Sequence, residues 1–172
     1  INFERTYQKL VTPEAGHGLQ PTLVNVTILL ADTAVSSEDE TFHTALKKGV
    51  KYSELVVYDG HSGLGANLDI ENIPGLKMPK QKYQVFFLNG CSSYTYYNYM
   101  YIKAKGGTQN LDVLSAGLPT ITDATGPNIV SFMNYFIDGK PRGYEKIVQN
   151  IDASNGKENG TFMVSVTGDE DN

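Results

Sequence analysis

A chain of 172 residues fits a single domain and is long enough to bury a core without a disulfide or a structural metal. Its 40% hydrophobic and 19% charged residues are the composition of an ordinary globular protein. A formal net charge of -5 without a basic patch argues against a nucleic-acid partner, and no apolar run is long enough to predict a membrane span.

The amino-terminal stretch carries little pattern. The first residue is Ile1 rather than Met, so we expect a processed product or a piece of a longer multidomain precursor. We interpret residues 1–20 as a linker or the remnant of an upstream segment, and residues 21–172 as the folded domain.

The first half of the chain predicts three strands and one helix. Val24–Leu30 is a continuous apolar and β-branched run, which is typical of a buried strand. Ser37–Glu40 fits the S-x-x-E capping box and predicts the start of a helix. Two further apolar runs, Leu55–Tyr58 and Val85–Leu88, predict strands that each lead into a glycine-containing turn.

The second half of the chain alternates helical and extended patterns. Apolar residues at helical spacing predict helices over Tyr97–Ala104, Ile129–Ile137 and Tyr144–Ile151. Shorter apolar runs predict strands over Leu111–Ser115, Thr120–Thr122 and Phe162–Val166. Strands that alternate with helices indicate an α/β fold with a mostly parallel sheet flanked by helices.

Two residues with catalytic chemistry follow successive predicted strands. His61 comes after the first strand of the pair, and Cys91, the only cysteine, follows the second strand thirty residues later. Adjacent parallel strands lie about 4.8 Å apart, and sites form at their carboxyl ends. A thiol with an ordinary pKa near 8.5 is a weak nucleophile at neutral pH, and a neighbouring imidazole activates it and protonates the leaving group. The pair therefore predicts a Cys/His dyad, although a lone cysteine is more often a small buried residue.

Glycines around the dyad allow the backbone to approach a substrate closely. The backbone amides of Ser62, Gly63 and Cys91 are therefore candidates for an oxyanion hole. A serine nucleophile elbow, G-x-S-x-G, is not matched, because Leu64 stands where its second glycine belongs.

Three carboxylates are candidates to orient His61 or to form a specificity pocket. They are Asp59, Asp32 and Asp123, of which Asp123 is equally a candidate helix cap. The three histidines and the single cysteine show no metal-ligand spacing, so we expect neither a metal nor a cofactor.

A cluster of tyrosines follows the cysteine. Tyr94–Tyr101 holds five of the eleven tyrosines in the chain. Helical spacing favours an amphipathic helix with some rings in the core, and the alternative is that outward rings bind a peptide or a glycan.

The two motif blocks, Leu55–Gly63 and Val85–Ser93, resemble those of the caspase–gingipain–separase cysteine peptidases, and the gingipain branch looks nearest. The resemblance spans roughly residues 24–169. It implies a caspase-like three-layer sandwich and hydrolysis of peptide bonds through a thioester, with Cys91 as nucleophile and His61 as acid and base. Since gingipain-like enzymes are typically exported by bacteria, it also implies a secreted or extracytoplasmic protein.

The chain departs from the family pattern in ways that leave a second hypothesis open. Ser62 stands where the family usually has glycine, and the caspase signature Q-A-C-[RQG]-G is absent. The first hypothesis is a cysteine endopeptidase that acts on peptide or protein substrates. The second is a catalytically inactive caspase-like domain that serves as a binding or scaffolding module of a larger protein. Another thiol hydrolase on the same fold is a weaker third.

Overall fold

The computed structural model of the chain describes residues 3–16, 18–30, 39–120, 122–140, 142–154 and 164–168. The strands in these ranges are β1 (Phe3–Val11), β2 (Thr22–Leu30), β3 (Leu55–Asp59), β4 (Gln84–Asn89), β5 (Leu111–Ala116) and β6 (Val164–Thr167). The α-helices are α1 (Glu40–Tyr52), α2 (Tyr99–Lys105), α3 (Thr122–Ile137) and α4 (Tyr144–Ser154). The prediction of an α/β fold is confirmed.

The main sheet has four strands in the order β3–β4–β5–β6. Strands β3, β4 and β5 are parallel, whereas β6 runs antiparallel to β5. The sheet is therefore mixed, and the prediction of a mostly parallel sheet is only partly confirmed. The reversal follows from the two consecutive helices, α3 and α4, which return the chain to the carboxyl end of β5, where Val164 pairs with Ala116.

The core lies on both faces of this sheet. All residues of β4 and β5 are buried. Their side chains alternate between two hydrophobic clusters, because successive residues of a strand point to opposite faces. Phe86 belongs to the cluster that contains Val50 of α1 and Tyr101 of α2. Phe87 belongs to the cluster that contains Phe132 of α3 and Ile147 of α4. Helices therefore flank the sheet on its two sides.

Strands β1 and β2 form a separate two-stranded antiparallel sheet. Strand β1 lies within residues 1–20, for which we expect a linker or the remnant of an upstream segment, and it carries no alternating pattern because nearly all its described side chains are exposed. Strand β2 was expected to be buried and is instead largely exposed. Polar pairs cross this sheet, Thr6 with Thr27 at 2.9 Å and Gln8 with Asn25 at 2.8 Å. An apolar run alone does not distinguish a buried strand from an exposed one.

Three predicted boundaries differ from the structure. Helix α1 begins after Asp39, whose carboxylate accepts the Phe42 amide at 2.7 Å, so the cap is Asp39 rather than Ser37, which lies outside the described residues. The strand predicted over Thr120–Thr122 is wrong, because Thr122 already begins α3. The last predicted strand, Phe162–Val166, is confirmed from Val164 and extends to Thr167, while residues 162 and 163 lie outside the described residues.

Helix α3 should contribute strongly to stability through Phe132. Its ring is 0% exposed and lies 4.8 Å, centroid to centroid, from the ring of Phe87. We expect Phe132→Ala to lower the free energy of unfolding by about 3–5 kcal/mol, since it removes a buried ring and leaves a cavity. Val130→Ala on the same helix is the matched control, because Val130 is 58% exposed. Urea denaturation would measure both, and equal effects would contradict this description of the core.

Candidate active site

His61 and Cys91 follow neighbouring parallel strands at the same edge of the sheet. The register pairs Asp59 of β3 with Asn89 of β4, and each candidate residue stands two positions beyond its paired strand end. His61 is exposed and Cys91 is partly exposed. The predicted adjacency of these two strands, on which the dyad hypothesis depends, is present in the structure.

Ser62 joins the two loops directly. Its side chain is buried, and its hydroxyl donates a hydrogen bond of 2.7 Å to the Cys91 carbonyl. The loops approach so closely that a Cβ atom at Gly90 would lie 2.8 Å from Ser62 Oγ and 2.9 Å from the Gly60 carbonyl oxygen. Ser62 itself has an ordinary right-handed backbone, with φ of -76°, so the turn needs no glycine at this position. A serine is thus accommodated at this position, and its hydroxyl bridges the two loops.

Three side chains hold the carbonyl groups of the histidine loop. The Tyr58 hydroxyl and the Asn67 amide both donate to the His61 carbonyl, at 2.6 and 2.7 Å. The buried Tyr97 hydroxyl donates to the Ser62 carbonyl at 2.6 Å. We call these three residues, Tyr58, Asn67 and Tyr97, the carbonyl clamp. The sequence did not predict the carbonyl clamp, because the local pattern of residue types carries no information on contacts between a side chain and a distant backbone carbonyl.

The carbonyl clamp fixes where the amides of the same loop point. In a trans peptide the carbonyl and the following N–H point in opposite directions, and the chain has no cis peptide among its described residues. Because the His61 and Ser62 carbonyls face their clamping side chains, the N–H groups of Ser62 and Gly63 face away from them. The Gly90 carbonyl accepts the Ser93 amide at 3.1 Å, which likewise directs the Cys91 N–H away from the helix that follows.

The three amides proposed from the sequence, those of Ser62, Gly63 and Cys91, donate no hydrogen bond within the described residues. This matters most for Ser62, which is only 4% exposed, because buried amides are nearly always satisfied. Donors without a partner, in the loops that carry the histidine and the thiol, are the kind of group that an oxyanion hole requires.

Backbone strain is concentrated in the same two loops. Among the described residues, Leu64 and Ser92 are the only non-glycine residues with positive φ, at 54° and 53°. A left-handed conformation costs an ordinary residue roughly 1–2 kcal/mol. A π-helical turn over Tyr94–Asn98 follows directly after the cysteine loop. Strained residues and π-turns cluster at functional sites, because the surrounding structure must maintain them against their cost.

The thiol of Cys91 contacts the loop that follows β5. Its Sγ lies 3.5 Å from Thr120 Oγ1 and 3.8 Å from the Thr120 carbonyl oxygen. The neighbouring Ser92 amide donates to the Leu118 carbonyl at 3.1 Å. The cysteine loop therefore lies between the histidine loop on one side and residues 117–120 on the other.

The candidate acids are placed differently from one another. Asp59 accepts a hydrogen bond of 2.9 Å from Asn89 Nδ2, and desolvation raises the pKa of its carboxyl, while the bonds from Asn89 and Thr125 act in the opposite direction. These hydrogen bonds connect β3 to β4 and to α3. Neither Asp59 nor any other described residue forms a hydrogen bond with the His61 ring. Asp32 lies outside the described residues, and so does the side chain of Asp123.

The buried residue Asn128 of α3 extends the network beneath the site. Its amide lies 3.5 Å from Asn89 Oδ1, so Asp59, Asn89 and Asn128 form a chain of polar contacts below the loops.

No group of three or more potential metal ligands occurs among the described residues. In the same part of the chain no helix has the length and apolar character to cross a membrane.

Comparison of the chain with models of protein families, with curated proteins and with solved structures found no match. The chemistry of this site must therefore be inferred from its own residues.

The close approach of the loops makes Gly90 intolerant of a side chain. We expect Gly90→Ala to lower the free energy of unfolding by about 1–3 kcal/mol, because the new methyl group overlaps Ser62 Oγ and the Gly60 carbonyl. Gly117→Ala, with no atom within 4 Å of its Cβ position, is the control and should change stability by less than about 0.5 kcal/mol. Thermal and urea unfolding of the two variants test this, and equal stability would refute the packed contact.

The carbonyl clamp should make the protein sensitive to alkali. Burial raises the pKa of Tyr97 to about 12, although its bond to Ser62 lowers it in part. Since the folded state holds this proton more tightly, the stabilisation is complete below the ordinary tyrosine pKa near 10 and is lost as the pH rises towards 12. We expect Tyr97→Phe to flatten the fall in urea midpoint over this interval. An unchanged slope would mean that Tyr97 titrates normally in the folded protein.

Proposed function

We propose that the chain is a cysteine endopeptidase of the caspase–gingipain type, with a caspase-like three-layer sandwich as its architecture. The observation that carries the proposal is the set of amides at Ser62, Gly63 and Cys91, which donate no hydrogen bond within the described residues and lie in the two loops that carry His61 and Cys91. His61 follows the neighbouring strand end, and we assign it the exchange of a proton with the thiol and with the leaving group.

The proposed reaction proceeds through a thioester. Cys91 transfers its proton to His61, and the thiolate attacks the carbonyl carbon of the scissile peptide bond. The oxyanion of the tetrahedral intermediate accepts hydrogen bonds from the unpaired amides, each worth roughly 2.7–4 kcal/mol when well placed. The intermediate collapses as His61 protonates the departing amine, which leaves an acyl group on sulfur. Water, activated by His61, then hydrolyses the thioester and restores the thiol.

A binding module that has lost activity is the second candidate function. It is favoured by the outward tyrosines, Tyr94, Tyr96 and Tyr99, which are 47%, 37% and 75% exposed. Such rings supply rigid contact area to a protein or glycan partner.

The prediction that some rings of this segment lie in the core is confirmed, because Tyr97 and Tyr101 are buried. An extracytoplasmic location remains part of the proposal by resemblance alone.

Alkylation of the single cysteine tests the dyad. We expect iodoacetamide to modify Cys91 at least about tenfold faster in the folded protein than in the unfolded chain at pH 6–7, because the proposed dyad activates the thiol only in the folded protein. His61→Ala should abolish this excess, and His17→Ala, which removes another imidazole, should retain it. Equal rates in the folded and unfolded protein would leave the binding module as the better hypothesis.

Peptide cleavage tests the chemistry itself. A mixture of unstructured peptides should be cleaved by the native chain, and Cys91→Ala should lose that cleavage while it keeps the same melting temperature. Cleavage that survives in Cys91→Ala would end the proposal, because no other residue is assigned as the nucleophile.

A further inference from the structure

The loops around Cys91 expose large apolar side chains. Leu64 of the histidine loop is 90% exposed, and Tyr96, in the turn after the cysteine, is 37% exposed. On the opposite side of the cysteine loop, Leu118 is 41% exposed. The strand order β3–β4–β5 puts the cysteine loop between these two flanks.

Leu64 is unfavourable for the free protein in two respects. Its backbone is left-handed, with φ of 54°, where glycine or asparagine would fit without strain. Its side chain also has almost no contact with the protein. The neighbouring Gly65 is covered by the Tyr96 ring, which lies 2.9 Å from the position of a Cβ atom, so Leu64 and Tyr96 belong to one continuous surface. A leucine kept in this position is explained if it contacts a bound molecule.

The three described loop segments around Cys91 contain no charged residue. Residues 60–66, 90–96 and 117–120 contain no lysine, arginine, aspartate or glutamate. Selection of an acidic or basic side chain depends on an opposite charge with which it can pair. His61, the only titratable residue in these segments besides Cys91 and the tyrosines, is already assigned to the reaction.

We propose that Leu64 and Tyr96 form a subsite for an apolar side chain next to the scissile bond, with Leu118 on the other flank. The substrates would then be peptides that carry leucine or an aromatic residue at the cleavage point, rather than arginine, lysine or aspartate. This inference rests on the proposed peptidase function of the same site. The bound side chain would cover Leu64 and shield the thioester from solvent.

A matched set of peptides tests the specificity. The peptides differ at the residues on each side of one bond, which are Phe, Leu, Ala, Arg or Asp. We expect kcat/KM for the Phe and Leu peptides to exceed that for the Ala peptide by about tenfold or more, since each apolar group in a pocket is worth roughly 10–200-fold. A preference for Arg or Asp, lost in Cys91→Ala, would overturn the subsite while the peptidase function stands. No Cys91-dependent cleavage of any peptide would overturn both.

Variants of Leu64 separate specificity from folding. Leu64→Asn fits the left-handed backbone and should fold normally, but should lower kcat/KM for the Phe and Leu peptides about tenfold with less than about threefold change for the Ala peptide. Leu64→Met should retain the native preference, because it keeps the apolar surface. Leu10→Asn, at a residue that is 62% exposed on β1, is the control and should leave every ratio unchanged. If Leu64→Asn leaves the ratio of Phe to Ala peptide unchanged, Leu64 is not part of the subsite.

Discussion

The parallel pairing of β3 with β4 is the constraint on which the rest of the site depends. The register that pairs Asp59 with Asn89 brings two glycine-containing loops to one edge of the sheet, and every further contact in the site requires that proximity. Ser62 can reach the Cys91 carbonyl only because the loops leave adjacent strands, and Gly90 must lack a side chain for the same reason. Parallel neighbours of this kind require a long connection, which here runs over residues 60–83 without an α-helix.

The buried polar groups at the two ends of the main sheet differ in how completely they are hydrogen-bonded. At the amino end, the buried Gln84 donates to the Val50 and Ser53 carbonyls and accepts from Lys105, whose ammonium also donates to the Lys82 carbonyl. Burial lowers the pKa of Lys105 to about 8 even so, because charge is costly there. At the carboxyl end, the His61 and Ser62 carbonyls accept hydrogen bonds from side chains, whereas the amides of Ser62, Gly63 and Cys91 donate none within the described residues.

Much of the fold could be predicted from hydrophobic periodicity. Apolar residues of β3, β4, β5, α3 and α4 pack in the core, and their spacing is visible in the sequence. The ribbon of β1 and β2 could not, since both of its faces lie largely in solvent and leave no alternating pattern. The direction of β6 was missed, although the two helices before it already require the chain to return at the carboxyl end of β5. In the site, the positions of His61 and Cys91 follow from strand order. Tyr97 does not, because its bond to Ser62 spans thirty-five residues and depends on tertiary packing.

The contacts that shape the histidine loop all lie within residues 58–97. A loop whose contacts lie within one short stretch of chain tolerates substitution elsewhere, because changes in the outer ribbon or in α4 leave these four hydrogen bonds in place.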